Sequence, residues 1–187
     1  MVTPDGGRVQ SMMCEDAVLC EHQVPLLHFE KTFSKEISIT IDDTFLHFSK
    51  LFPVMKIDDK VIDFGEVVYH YEQGEVLQLE SRLPDLVGIM VVNKMVDVDD
   101  EYCKVKTFQD DLIISIDEHL TLKQKLFWKV KNMDEDVSFN FQFIKNIFDK
   151  HHGEACMVYM EKDFPMCLEF RGSTNIRYYV APMWDGV

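Results

Sequence analysis

The chain contains an internal repeat, in which one short unit occurs twice at an offset of one hundred residues. Glu36–Ile41 is matched without gaps by Asp136–Phe141, and a Phe-x-Lys tripeptide follows at the same distance in each copy, as Phe48–Lys50 and as Phe148–Lys150. A repeated unit constrains the architecture more firmly than local propensity does. We therefore expect two halves of similar fold.

Within each copy, the hydrophobic period changes from that of a strand to that of a helix. Each copy begins with alternating apolar and polar residues, which predicts a half-buried strand. Apolar residues then recur at helical spacing, as Phe45, Phe48, Leu51 and Phe52 in the first copy and as Phe143, Ile144, Ile147 and Phe148 in the second. The unit is thus predicted to be a strand followed by a short amphipathic helix, which ends near Pro53 or before Gly153.

Most of the remaining chain has the pattern of strands. Val67–Tyr71 and Val76–Leu79 flank a polar turn and predict a hairpin. Further strands are predicted at Ile89–Val98, Lys104–Phe108, Leu112–Ile116, Leu126–Val130, Cys156–Met160, Met166–Phe170 and Ile176–Val180. The expected fold class is α+β, dominated by strands. Two helices cannot cover both faces of so much sheet, so the sheets must pack on one another, on helices, or on a partner chain.

Charge limits the partners that the surface can attract. The 187 residues include 19 Lys and Arg against 33 Asp and Glu, a net charge of −14. Such a surface repels nucleic acid and anionic membranes on average, so any contact with DNA requires locally concentrated basic side chains. The start of the chain, Met1–Gln10, lacks the apolar stretch of a secretion signal. The longest apolar run, Leu86–Val92, is far too short to cross a bilayer, and we expect neither secretion nor a membrane partner.

Catalytic and metal-binding motifs are not evident. The five cysteines are odd in number and lack a Cys-x-x-Cys pair, which argues against a disulfide framework or a zinc ribbon. Cys20 and His22 could share one strand face, but no second pair of ligands completes a metal site. The sequence lacks the common phosphate-loop, hydrolase and metalloprotease motifs. We therefore expect no enzymatic activity, no metal and no cofactor.

Both ends of the chain carry the motifs of a known family. The C-terminal segments Asp163–Phe170, read as Asp-Phe-Pro-Met-Cys-Leu-Glu-Phe, and Asn175–Pro182, which contains Tyr-Tyr-Val-Ala-Pro, resemble the last two strands of the sliding clamps of the proliferating cell nuclear antigen (PCNA) family. Val2–Met12, which contains Gly-Gly-Arg-Val-Gln-Ser-Met, is similar to an N-terminal strand pair of that family, and the strand and helix at Ile37–Lys50 follow in the family's order.

The resemblance implies a sliding-clamp fold, with two similar halves that have antiparallel sheets outside and helices inside. It divides the chain into an N-terminal half at 1–93, a linker at 94–103 and a C-terminal half at 104–187. Family members have two strand-helix units in each half, whereas only one is recognisable per half here. The chain is therefore expected to be a reduced or divergent clamp, or to lack part of the native sequence.

The helices of family clamps line the central hole, and their basic side chains meet the DNA backbone. Carried over to this sequence, the residues expected to bind DNA are Lys50, Lys56, Lys145, Lys150 and His151. Ammonium groups contact phosphates without reading bases, as a sliding protein requires. The alternative is that these side chains only form the solvent-facing side of amphipathic helices.

Family clamps also bind short peptide motifs in a hydrophobic groove. The matching positions are Met12, Leu19, Val96, Val98, Pro165, Tyr179, Ala181 and Pro182. Asp16 stands where many clamps carry His, and the linker and the C-terminal tail are short. The alternative is that Tyr179 and its neighbours are the alternating core and surface positions of an edge strand.

Subunits of family rings join by antiparallel pairing of one strand from each half. The matching interface residues are Val76, Leu77, Leu79, Leu83, Leu122, Leu126, Trp128 and Val130. Head-to-tail pairing that closes into a ring removes exposed strand edges. The alternative is a monomer whose edges are protected by Lys123, Lys125, Lys129 and Lys131.

The resemblance thus implies a sliding clamp and polymerase processivity factor for DNA replication and repair, forming a homotrimer around double-stranded DNA. The implied partners are that DNA, a DNA polymerase and other proteins with clamp-binding peptide motifs, and a clamp loader. The implied location is the nucleus or another site of viral or cellular DNA replication. The alternative function is that of a clamp-fold checkpoint or scaffold protein, which binds proteins without encircling DNA.

Overall fold

A computed structural model gives the architecture and describes residues 2–3, 6–13, 18–25, 56–57, 61–63, 65–70, 83–172 and 175–183. These residues contain one helix, α1 (Phe141–Lys150), and a majority of strands, in agreement with the predicted α+β class. The strands are β1 (Val2–Thr3), β2 (Gly6–Met13), β3 (Val18–Pro25), β4 (Lys56–Ile57), β5 (Val61–Asp63), β6 (Val68–His70), β7 (Leu86–Val91), β8 (Tyr102–Phe108), β9 (Asp111–Ser115), β10 (Thr121–Lys129), β11 (Val137–Asn140), β12 (Ala155–Tyr159), β13 (Met166–Arg171) and β14 (Asn175–Val180).

The chain forms two compact units, and these divide it differently from the expected halves. The first unit comprises Met1–Val9 and Val24–Ser81, and the second comprises Gln10–Gln23 and Arg82–Val187. The segment 94–103, expected to be a linker, therefore lies inside the second unit, as does β7. The physical reason is that β7 pairs with both β10 and β12, which builds it into the C-terminal sheet.

In the first unit, β4, β5 and β6 form an antiparallel sheet in that order, with Ile62 fully buried. Separately, β1 pairs with the beginning of β2, where Val2 lies opposite Gly7. The strand and helix predicted at 36–52 and the second strand of the hairpin at 76–79 lie outside the described residues.

The second unit is built on an antiparallel arrangement in the order β3-β14-β13-β12-β7-β10-β9-β8-β11. The strands predicted in 104–116 and 156–180 are confirmed to within two residues. The strand predicted at Ile89–Val98 is wrong in its bounds, because β7 ends at Val91 and the following residues leave the sheet to run beside α1. At Gly88 the strands come so close that a Cβ atom would lie 2.8 Å from the Trp128 carbonyl oxygen, which explains the glycine.

The strand-helix unit predicted for the second copy is confirmed as β11 and α1. The side chain of Asn140 caps the helix by accepting a hydrogen bond from the Gln142 N–H at 2.9 Å. The buried side of the helix consists of Phe141, Ile144, Ile147 and Phe148, and Gly153 adopts a left-handed φ of 83° after its end. Each of these large apolar side chains contributes about 1.5–3 kcal/mol by burial, so packing and not intrinsic propensity holds so short a helix.

The face of β13 and β14 directed away from α1 holds a buried charged network. Glu169, only 1% exposed, accepts hydrogen bonds from the Tyr159 hydroxyl at 2.7 Å and from Arg171 Nε at 2.9 Å. Arg177 lies between Glu169 and Glu21, with nitrogen-oxygen distances of 3.6 and 3.9 Å. Burial acts to raise the pKa of Glu169, but the hydrogen bonds from Arg171 and Tyr159 outweigh it and the pKa is lowered.

Candidate functional site

The polar side of α1 is the first candidate surface, and its central lysine is already paired. Lys145 Nζ lies 3.1 Å from Asp149 Oδ2, one helical turn away, and 3.3 Å from Asp97 Oδ1 on the segment that follows β7. The hydrogen bonds to Asp149 and then to Asp97 raise the pKa of Lys145. Burial acts to raise the pKa of Asp149, but the hydrogen bonds from Lys145 and the Met95 N–H lower it overall.

The other two predicted DNA contacts on this helix differ from each other. Lys150 is exposed, with its Nζ 5.7 Å from the centre of the Tyr178 ring. His151 is buried, stacks on Phe170, and makes hydrogen bonds of 3.0 Å to Glu154 and 2.9 Å to the Tyr178 hydroxyl. The expectation that His151 meets phosphates is therefore wrong, because both of its ring nitrogens are used inside the protein.

The predicted DNA contacts in the first unit are not on a described helix. Lys56 is exposed, but it lies on β4. Lys50 lies outside the described residues.

The second candidate surface is the predicted peptide groove, and part of it comes together at one end of β14. In the strand register, Tyr179 lies opposite Leu19 on one side and Cys167 on the other. Pro165 and Ala181 follow directly beyond the last residue pair of β13 and β14. Leu19 is buried, Tyr179 and Pro182 are half-buried, and Ala181 is exposed. Since β14 lies between β13 and β3, the alternative of an edge strand is wrong.

The remaining predicted groove residues lie elsewhere. Val96 and Val98 belong to the segment beside α1, on the side of the sheet that Tyr178 faces. Tyr179 follows Tyr178 on the same strand and therefore points to the opposite side of the sheet. Their placement in a common groove with Tyr179 is therefore wrong. Met12 lies on β2, and its side chain is outside the description.

The third candidate surface is β10, the predicted subunit edge. Its first half, Thr121–Lys125, pairs with β9, and its second half pairs with β7 on the opposite edge. Among the strands that the structure describes, none pairs with the second edge of Thr121–Lys125.

The interface residues predicted on β10 divide into core and surface. Leu126 is buried, so its assignment to a subunit interface is wrong, whereas Leu122 packs half-buried against the core and its assignment stays a prediction. Trp128 is 63% exposed, and Val130 is also exposed. Leu83 is half-buried ahead of β7, whereas Val76, Leu77 and Leu79 lie outside the described residues.

Two exposed aromatic side chains were not predicted. Phe127 is 62% exposed, next to Trp128, and Phe108 is exposed at the end of β8. Phe127 continues the outward positions Lys123 and Lys125, so the period of two could have identified it. A register irregularity between Leu126 and Trp128 turns Trp128 outward as well, and no sequence signal marks it.

No metal site or reactive thiol emerges in the part of the chain that the structure describes. In that part no three His, Cys, Asp or Glu side chains are grouped to hold a metal ion. Cys20, Cys103, Cys156 and Cys167 are buried, and burial raises the pKa of Cys103 and of Cys167 to about 12. Within these same ranges, no helix is long and apolar enough to span a bilayer.

Comparison with solved structures identifies the fold. A. fulgidus PCNA, in a structure with the C-terminal region of FEN-1, is 15% identical, with a TM-score of 0.64 over 99% of this chain and 88% of that chain. The chain has the fold of a PCNA-type sliding clamp. A PCNA2–PCNA3 complex from Sulfolobus tokodaii is 12% identical, with a TM-score of 0.60 over 96% of this chain and 87% of the other. PCNA from Entamoeba histolytica is 14% identical, with a TM-score of 0.60 over 97% of this chain and 87% of the other.

The likeness is one of structure and not of sequence. No protein-family model matches the chain, and no curated protein is significantly similar to it. The solved structures with this fold include a PCNA with the C-terminal region of FEN-1 and a complex of two clamp subunits.

Proposed function

We propose that the protein is a sliding-clamp subunit that associates head to tail into a closed ring around duplex DNA, in the nucleus or another replication site, and tethers a polymerase and repair proteins there. Its role is topological and not enzymatic, because a closed ring holds a tethered enzyme near DNA even when each phosphate contact is weak. A clamp loader would open the ring, and three subunits would complete it.

The observation that carries this proposal is the combination of a strand edge at Thr121–Lys125, with which no described strand pairs, and exposed apolar side chains at the end of β10 and just after it. Thr121–Lys125 offers backbone groups for pairing, and Phe127, Trp128 and Val130 offer apolar area beside them. Exposed aromatic clusters of this kind are typical of protein contacts. Three of the four lysines of the monomer alternative have partners within the chain: Lys125 lies near Asp110 and Asp111, Lys131 contacts Asp85, and Lys129 contacts the Gln109 carbonyl.

Ring closure on DNA can be tested by retention on a circle. We expect sedimentation to show a trimer, and we expect protein loaded on closed circular DNA to remain there and to leave when the DNA is linearised. Equal retention on both DNA forms would indicate ordinary electrostatic binding. A monomer at micromolar concentration would contradict the ring.

Partner recruitment would use the end of β14. We expect a peptide of the Gln-x-x-Leu-x-x-Phe-Phe type to bind there and Tyr179→Ala to weaken the binding. Phe108→Ala, which removes an aromatic side chain on another surface, is the matched control. Equal affinities for the two variants in a fluorescence titration would remove this assignment.

A second function is favoured by the pairing of Lys145 with two carboxylates and by the burial of His151. These contacts leave few free cations on α1, as expected for a checkpoint or scaffold protein that binds proteins without encircling DNA. A stable ring with no retention on circular DNA would support this second function over the first.

A further inference from the structure

The segment 92–101, here called the acidic strap, is held along α1 by contacts at both of its ends. Near one end, the Val92 N–H donates to the Glu154 carbonyl at 2.9 Å, and the Gly153 N–H donates to the Val92 carbonyl at 2.8 Å. At the other end, the Phe141 N–H donates to the Glu101 carbonyl at 2.7 Å. The strap is therefore an ordered part of the helix surface.

Two polar side chains of α1 hold the middle of the strap. Gln142 Nε2 donates to the carbonyls of Val98 at 2.7 Å and Asp100 at 3.0 Å. Asp149 Oδ1 accepts from the Met95 N–H at 3.2 Å. The helix thus uses on the strap part of its polar side, where Lys145 was expected to meet DNA.

The charges of the strap oppose phosphate binding. It carries one cation, Lys94, against the four carboxylates of Asp97, Asp99, Asp100 and Glu101. Asp97 and Asp149 together surround Lys145, whose side chain is only 15% exposed. An ammonium group has three N–H donors, so carboxylate oxygens that occupy them compete directly with phosphate oxygens.

We propose that the acidic strap is an intramolecular competitor for phosphate, in which Asp97 masks Lys145 from nucleic acid. The Asp97 side chain is 97% exposed, so its ion pair is a surface contact that a polyanion or salt can displace. Asp149, fixed by the Met95 N–H, keeps Lys145 in place. This inference rests on the proposed function, since it concerns how strongly α1 attracts the DNA that passes through the ring.

Asp97→Asn tests the masking, and Asp99→Asn is its matched control. Both variants remove one negative charge from the strap, but of these two carboxylates only Asp97 forms a described ion pair with Lys145. With a fluorescein-labelled duplex of mixed sequence at low salt, we expect Asp97→Asn to bind about two- to fivefold more tightly than Asp99→Asn, as expected for one exposed ion pair. Adding Lys145→Met to Asp97→Asn should abolish that gain.

Equal affinities of Asp97→Asn and Asp99→Asn would overturn the masking, because only net charge would then matter. Absence of binding by every variant would also overturn it, because no phosphate site would lie beneath the strap. A gain that survives Lys145→Met would assign the effect to another cation and would overturn it as well. Failure of the proposed function is read separately, from sedimentation and from retention on circular DNA.

Discussion

The polar side of α1 and the exposed side of β10 belong to the same unit, but they differ in whether their side chains already have partners within the chain. On α1, Lys145 is paired with Asp97 and Asp149, and Gln142 is bound to the strap. On β10, Phe127 and Trp128 remain exposed. A surface whose charges are already paired has little to gain from a ligand, whereas exposed aromatic side chains gain by burial. Assembly therefore has the stronger structural basis, and DNA contact the weaker one.

The largest effect is expected from making the exposed side of β10 cationic. The double substitution Phe127→Lys and Trp128→Lys should weaken self-association by about 2–4 kcal/mol, at least about 30-fold, because central aromatic residues dominate interface energies. Sedimentation equilibrium measures this change. Val68→Lys, at an exposed apolar position of the first unit, is the control. Unchanged association of the double variant would remove β10 from the interface.

A smaller effect is expected at the contact between β7 and β10. Gly88→Ala places a Cβ atom 2.8 Å from the Trp128 carbonyl oxygen, so one strand must shift. We expect the free energy of unfolding in urea to fall by about 1–3 kcal/mol, with weaker self-association because Trp128 moves. Val91→Ala, at an exposed position of the same strand, should change stability by less than about 0.5 kcal/mol. Equal free energies of unfolding for the two variants would mean that β7 and β10 make room for the Cβ atom without loss of stability.

The hold of α1 on the strap gives a third prediction. Gln142→Ala removes two hydrogen bonds to strap carbonyls and should lower the free energy of unfolding by about 1 kcal/mol. Amide exchange should quicken in the strap more than in β12. Asn146→Ala, an exposed position on the same helix, should leave both measurements unchanged. Slow strap exchange in Gln142→Ala would show that the main-chain contacts suffice.

The smallest effect is expected from acid. The folded pKa of Asp149 is lowered, so its contribution is complete above its unfolded value of ~3.9 and is lost as the pH falls through the lower folded pKa. The Met95 amide, which donates to Asp149, should therefore shift in NMR spectra as the pH falls below about 4. Asp149→Asn should remove this shift from the titration. Persistence of the shift in that variant would assign it to another carboxyl.

The C-terminal strand-helix unit could be predicted because its hydrophobic period changes within a few residues, from the alternation of β11 to the spacing of Ile144, Ile147 and Phe148. The strap could not, since the apolar residues Met95, Val96 and Val98 suit a strand equally well. Contacts with Gln142 and Asp149, more than forty residues away in the chain, decide its path. The sequence therefore predicted the elements of this unit better than their surfaces.

The candidate site shows the same division. Trp128 and Val130 could be assigned to a surface from the family motif, but the register irregularity that turns Trp128 outward depends on the partner strand. His151 follows Lys150 directly, and only the folded turn after α1 shows that it points inward to Tyr178. The local sequence pattern does not show the direction of these side chains, because that direction depends on contacts with residues distant in the chain.

The buried network around Glu169 also restricts how β14 can align with its neighbours. Residues Cys20, Tyr178 and Leu168 form one cross-strand row on the side of α1, while Arg177 and Glu169 lie opposite each other on the reverse side. Sliding β14 by one position would exchange the two faces and force a guanidinium among apolar side chains. The buried charges therefore favour a single register of β14, since a misaligned C-terminal strand would bury an uncompensated ion.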